Sequence, residues 1–154
     1  MDKNKSENQT HKNKIFIGHG RSKIWIELKD FLVERLKLDW VEFNRESPAG
    51  LSTKERLENM LNESIFAFLI FTGEDLQTDG TYKPRENVVH EAGLFQGRLG
   101  FEKAIIMLEE GCEQFSNIQG LGQIRFPNYG ILSKSEEIRL VLERENIILN
   151  ERNI

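Results

Sequence analysis

From Ile15 onward the chain alternates short apolar runs with stretches in which apolar residues recur at helical spacing. That is the pattern of repeated βα units, and hence of a parallel sheet covered by helices on both faces. The runs predict five strands, at Lys14 to Gly18, Trp40 to Phe43, Ile65 to Thr72, Lys103 to Leu108 and Gln123 to Phe126. The first, third and fourth are almost continuously apolar, as expected of strands buried on two faces. The second sets Val41 and Phe43 against Glu42, and the fifth sets Ile124 and Phe126 against Gln123 and Arg125. Each should therefore show one face to water and lie at an edge. Of the two common doubly wound arrangements, the order 2-1-3-4-5 puts the second and fifth strands outermost. The fold expected is a three-layer α/β domain of flavodoxin-like order with a five-stranded parallel sheet.

Helix signals agree with this frame. A first helix, from about Ser22 to Lys37, carries Trp25, Leu28, Phe31, Leu32 and Leu36 along one stripe. Ser52 with Glu55, and Ser133 with Glu136, have the spacing of reciprocal capping boxes at helix starts. A third helix, from about Arg85 to Leu99, turns Val88, Ala92, Phe95 and Leu99 inward and stops at Gly100. Its Gly93 and Gly97, four apart, are expected to let it approach neighbouring backbone closely.

Composition narrows the function classes. The 154 residues have room for one domain, and a net charge of -4 with scattered Lys and Arg offers no basic stripe for nucleic acid. One cysteine, Cys112, excludes an intramolecular disulfide and is expected as a small loop or core residue. With three scattered histidines it forms no metal-binding spacing, so no metal site is expected. Met1 to Lys14 is almost wholly polar, with neither an apolar signal core nor a membrane span. Residues 1–13 are expected to be a disordered start, and the protein to be cytoplasmic with no membrane partner.

In such a sheet small molecules bind beyond the carboxyl ends of the strands where the order reverses, here between the first and third. Gly18-His19-Gly20-Arg21-Ser22, Thr72-Gly73-Glu74-Asp75 and the helix carrying Asn87 and Glu91 converge there, and the loop Asn44 to Gly50 can close over them. The first loop has glycines that let amides approach an anion, and Arg21 to pair with phosphate. Its spacing fits a plain tight turn equally well, with His19 as an ordinary turn histidine. On the helix, Asn87, Glu91, Leu94 and Arg98 form a line beside the buried face, while His90 points elsewhere, toward solvent. Spacing alone also allows Glu91 to pair with Arg98 on a solvated face or to serve as a helix-start carboxylate.

Three segments carry a resemblance. Ile15-Phe16-Ile17-Gly18-His19-Gly20-Arg21, Phe66-Ala67-Phe68-Leu69-Ile70-Phe71-Thr72 and Asn87-Val88-Val89-His90-Glu91-Ala92-Gly93-Leu94-Phe95-Gln96-Gly97-Arg98-Leu99-Gly100 resemble the bacterial TIR domains of CBASS and Pycsar anti-phage effectors. The similarity runs from about Lys14 to about Phe126, departs from the usual pattern at His90 and Ala92, and implies a TIR-like domain over 14–154. It implies an NAD⁺ nucleosidase that releases nicotinamide, with cyclisation of ADP-ribose left open, NAD⁺ being substrate and no cofactor being needed. Glu91 matches the catalytic glutamate, and His19, Gly20, Arg21, Ser22, Gly50, Thr72 and Asn87 match substrate-lining positions. Self-association through TIR–TIR contacts and a separate sensor protein or cyclic-nucleotide system are further implications. Two alternatives stay open: a deoxyribosyltransferase-like enzyme acting on another N-glycosidic bond, and a non-catalytic homotypic TIR interaction module. A phospho-receiver is excluded, because it needs an acidic cluster where this chain has Gly18-His19-Gly20.

Overall fold

The computed structural model describes residues 12–44, 50–113 and 122–150. In chain order its elements begin with β1 (Lys14–Gly18), then α1 (Trp25–Asp30), which runs on into a wider π turn at Phe31–Arg35, then β2 (Asp39–Val41). Next come α2 (Thr53–Glu63), β3 (Ser64–Phe71), β4 (Asp75–Leu76), β5 (Tyr82–Lys83) and α3 (Glu86–Leu99). The chain then forms β6 (Ala104–Glu109), β7 (Gln123–Phe126), a 3-10 turn at Ile131–Lys134 and α4 (Ser135–Arg144).

Five strands pair in parallel in the order β2-β1-β3-β6-β7. With β4 and β5 set aside as a separate antiparallel hairpin, this is the 2-1-3-4-5 order that the edge patterns imply. The apolar strands have no polar face because each supplies two cores. Ile15, Ile17, Phe66, Phe68, Ile70, Ile105 and Met107 face the layer of Leu28 and Leu32 from the first helix and Ile138 and Leu142 from α4. Phe16, Ala67, Leu69, Phe71, Ile106 and Leu108 face Met60 of α2 and Val88, Ala92 and Phe95 of α3. The period-two alternation thus sends neighbouring residues into opposite layers.

Helix starts are only partly as the spacing predicts. Ser52 and Glu55 form the reciprocal box, with the Ser52 hydroxyl accepting from the Glu55 amide at 3.2 Å and Glu55 accepting from the Ser52 amide at 3.0 Å. Ser133 and Glu136 do not: Ser133 lies inside the 3-10 turn and its hydroxyl donates to the Gly130 carbonyl at 2.6 Å, so α4 starts at Ser135 without a side-chain cap. Gly100 ends α3 at φ 86, as its left-handed role requires. Gly93 and Gly97 approach no backbone, and a Cβ at either would meet nothing within 4 Å, because they sit on the outer face of α3.

Two further differences bear on the site. β2 ends at Val41, two residues before the predicted end at Phe43, so Glu42 and Phe43 belong to the turn beyond the strand. The β4–β5 hairpin was not anticipated, although Asp79-Gly80 is a turn signal; Asp79 accepts from the Thr81 amide and hydroxyl inside it. Residues 1–11 of the expected irregular start lie outside the described residues, while the Asn13 amide donates to the Glu63 carbonyl at 3.2 Å.

α3 is fixed on the sheet by its apolar face, in which Phe95 stacks on Phe16 of β1 with ring centroids 4.0 Å apart and planes 12° from parallel. Phe95→Ala is expected to destabilise the domain by ~3–5 kcal/mol, the scale for truncating a fully buried aromatic. Urea unfolding with an unchanged slope and a lowered midpoint would report it, whereas Ser52→Ala should cost only about 1 kcal/mol.

Candidate active site

Glu91 lies one helical turn before Phe95, so the Phe16–Phe95 stack sets it over the end of β1. There the strand ends in Gly18. A Cβ at that position would stand 2.6 Å from Leu69 Cδ1, 2.8 Å from Glu91 Oε2 and 3.2 Å from Phe16 Cε1. The carboxylate can lie against the strand only because no side chain is present.

A cavity of about 260 Å³ opens beside it. Ile17, His19 and Gly20 line it from β1 and the following loop; Glu42, Phe43 and Asn44 from the turn after β2; and Arg85, Asn87 and Glu91 from the start of α3. Arg56 of α2 braces one wall, donating to the Phe43 carbonyl with its guanidinium 4.1 Å over the Phe43 ring. A larger hollow of about 420 Å³ lies at the ends of β6 and β7, lined by Cys112, Arg125 and Lys134 among others. The smaller cavity is the better candidate, because it lies at the switch point of the sheet and holds a buried, unpartnered carboxylate oxygen. Burial, followed by the charge of Glu109, pushes the Cys112 thiol up to about 12, which leaves it protonated and unreactive.

Glu42 departs furthest from expectation. The strand alternation assigned it to water, yet it is 4% exposed, because the chain turns into the crevice after Val41. Its Oε2 lies 2.8 Å from His19 Nε2, and His19 Nδ1 lies 2.7 Å from the Gly20 carbonyl oxygen. A carbonyl only accepts, so Nδ1 donates to Gly20 while Nε2 faces the Glu42 carboxylate. The imidazole also stacks on Trp25 at 4.4 Å and 6°, and Trp25 in turn meets Trp40 at 5.9 Å. His19 and Glu42 are thereby held as a rigid pair.

Burial pushes the Glu91 carboxyl up to about 7; His19 opposes this, Glu42 reinforces it, and Arg85 opposes it weakly. Glu91 Oε2 is buried without a hydrogen-bond partner among the described residues. It does not pair with Arg98, whose guanidinium donates to Asn62 Oδ1 at 2.6 Å. His90 is exposed, as its helix position suggested.

Of the residues singled out from sequence, His19, Gly20, Asn87 and Glu91 meet at the cavity. Arg21 and Ser22 do not line it: both amides donate to Glu74 Oε1, at 2.6 and 2.8 Å, and the Arg21 guanidinium lies 3.4 Å from Asp75. Thr72 is buried just past β3, outside the lining. Gly50 takes φ 79 in open space ahead of α2, and residues 45–49 of the proposed closing loop lie outside the described residues. Sequence reasoning missed Glu42 and Arg85. Arg85 follows Pro84 at the cap position of α3, where a cation with no capping bond is itself an unusual signal. Among the described residues no group of His, Cys, Asp and Glu could hold a metal ion, and no helix is long and apolar enough to cross a membrane.

A doubly wound parallel sheet with a buried carboxylate over its switch-point crevice defines an α/β domain suited to hold a small molecule there. The chain belongs to the family described as CAP12/Pycsar effector protein, TIR domain, whose model matches residues 14–128. It is 29% identical over 147 residues to CD-NTase-associated protein 12 of Flavobacterium daejeonense, covering 92% of this chain and 47% of that protein. The protein of the same name from Sphingobacterium faecium is 31% identical over 121 residues, covering 75% of this chain and 36% of its own length. Pycsar effector protein BcPycTIR of Burkholderia cepacia is 44% identical over 79 residues, 48% of this chain and 26% of that protein. The chain thus spans less than half the length of these relatives.

The raised Glu91 carboxyl makes a stability prediction independent of activity. Its folded value, about 7, lies above its ordinary 4.5, so the folded state retains a proton that the unfolded chain releases. The resulting cost is absent below pH 4.5, grows as pH rises to about 7 and is constant above, reaching about 3 kcal/mol. Glu91→Gln should therefore raise the melting temperature at pH 8 and match wild type near pH 4.5. An equal difference at both pH values would show that Glu91 is not destabilised by its burial.

Proposed function

We propose that the domain cleaves the bond between nicotinamide and ribose in NAD⁺, with Glu91 as its catalytic carboxylate, as an effector in anti-phage defence. The observation that carries this reading is the unpartnered Glu91 Oε2, buried over Gly18 beside a cavity of about 260 Å³. A buried anion without a partner is costly, and a cationic substrate supplies the missing charge. Membership of the CAP12/Pycsar TIR family supports the same assignment.

One carboxylate suffices for this chemistry. The C1′–N bond breaks with both electrons going to the pyridinium nitrogen, so nicotinamide leaves neutral and no general acid is required. Positive charge develops on the ribose as the bond lengthens, and ionised Glu91 stabilises it in a water-poor site. Water then adds to C1′ and gives up one proton, completing hydrolysis to ADP-ribose. The His19–Glu42 pair lines the same cavity, and Asn87 stands one turn ahead of Glu91 to orient the ribose hydroxyls. In the same reading the domain works as an assembly of copies under a cyclic-nucleotide signal, consistent with relatives named CD-NTase-associated protein and Pycsar effector. Specific activity is then expected to rise with protein concentration in parallel with light scattering.

Because the ionised form of Glu91 acts, kcat/KM should fall as pH drops through about 7. Glu91→Gln should lower nicotinamide release by at least ~100-fold while the protein stays folded. Full turnover by the folded variant removes Glu91 from catalysis. Cleavage of deoxynucleosides with NAD⁺ left intact assigns the site to a different N-glycosidic bond.

A further inference from the structure

We propose that Arg85, and not the loop after β1, is the cation that holds the diphosphate of the substrate. The inference rests on the reading of this cavity as an NAD⁺ site and adds how the dinucleotide is anchored. Glycines, amides and an arginine made the β1–α1 loop the natural phosphate cradle in the sequence, but the folded chain fills that cradle itself. Glu74 Oε1 takes the Arg21 and Ser22 amides and Asp75 takes the Arg21 guanidinium. The Glu74 side chain also lies flush on Gly20, where a Cβ would collide with its carboxylate. A phosphate entering there would have to displace one carboxylate and lie against another. Two carboxylates thus stand where a phosphate in this loop would have to bind.

Arg85 is placed oppositely. It lines the cavity, is half-buried, and makes no hydrogen bond or ion pair with any described residue. It does nothing for the helix it precedes: its side chain makes no capping bond, and a cation at the amino end of the 14-residue α3 opposes the helix dipole. An anion bound beside it would be favoured both by the guanidinium and by that dipole. Arg85 and Glu91 are six residues apart, about 9 Å along a helix axis, a separation that a ribose and its 5′ linkage can span. The cavity is also too small for a whole dinucleotide, being at the lower end of ligand-pocket sizes. The nicotinamide riboside half would fill it and leave the phosphates at the rim.

The test compares NAD⁺ with nicotinamide riboside, which has the same scissile bond and no phosphate, using wild type, Arg85→Ala and Arg21→Ala. Assayed well above the Glu91 value of about 7, so that Glu91 is ionised in both proteins, Arg85→Ala should raise KM for NAD⁺ roughly tenfold to a hundredfold with kcat little changed, and should alter the riboside kinetics far less. Arg21→Ala should leave both substrates nearly unaffected. Equal losses on both substrates in Arg85→Ala would mean that Arg85 acts on Glu91 or on folding, and would overturn the proposal. So would a KM increase confined to Arg21→Ala. Calorimetric titration with ADP-ribose reads the diphosphate contact without turnover. Binding that weakens in Arg85→Ala supports the contact even if neither substrate is cleaved, in which case only the catalytic reading fails. Binding indifferent to Arg85 overturns the contact whatever the catalytic result.

Discussion

The site depends on a steric fact, that α3 lies close enough to β1 for Glu91 to rest on the backbone of Gly18. Phe95 stacked on Phe16 sets the height of the helix, and the missing side chain at Gly18 lets the carboxylate occupy the space left at the strand end. Any larger residue at position 18 would press at once on Leu69, Phe16 and Glu91. The aromatic contact belongs to the core and the carboxylate to the crevice, yet one helix carries both. Packing energy from the apolar face of α3 thus holds in place a charged group that would not choose its position unaided.

The distribution of charge around that group follows a simple division. Most ionisable side chains near the switch point have a partner: Glu42 has His19, one oxygen of Glu74 has two loop amides, and Arg21 has Asp75. Glu91 and Arg85 are the exceptions among the residues lining the cavity, one anionic when ionised and inside α3, the other cationic and at its cap. A chain can retain such groups when a ligand completes them. The pairing of the rest is equally informative, since it removes from the site residues whose types alone would have recommended them.

Sheet order was legible because strand burial is written in the local alternation of residues. Continuous apolar runs must be covered twice and alternating runs once, and this distinguishes central from edge strands before any contact is known. The same rule failed at Glu42. Alternation holds only within a strand, and β2 stops one residue earlier, where the backbone bends into the crevice. The Ser133–Glu136 spacing failed for a related reason, since a 3-10 turn placed Ser133 one residue ahead of the position that caps α4.

What the sequence determined by itself was the class of fold, the strand order, the helix bearing Glu91 and the family resemblance, because these rest on periodicity and on contiguous motifs. What only the tertiary structure decided was which charged groups are free. Glu74 reaches the β1–α1 loop across 52 positions of chain, and Glu42 reaches His19 across 23. Such partners come together through the packing of separate βα units, and no local pattern records them. A phosphate cradle inferred from glycines and an arginine is therefore a statement about the loop alone, whereas its occupation by Glu74 and Asp75 is a property of the folded domain.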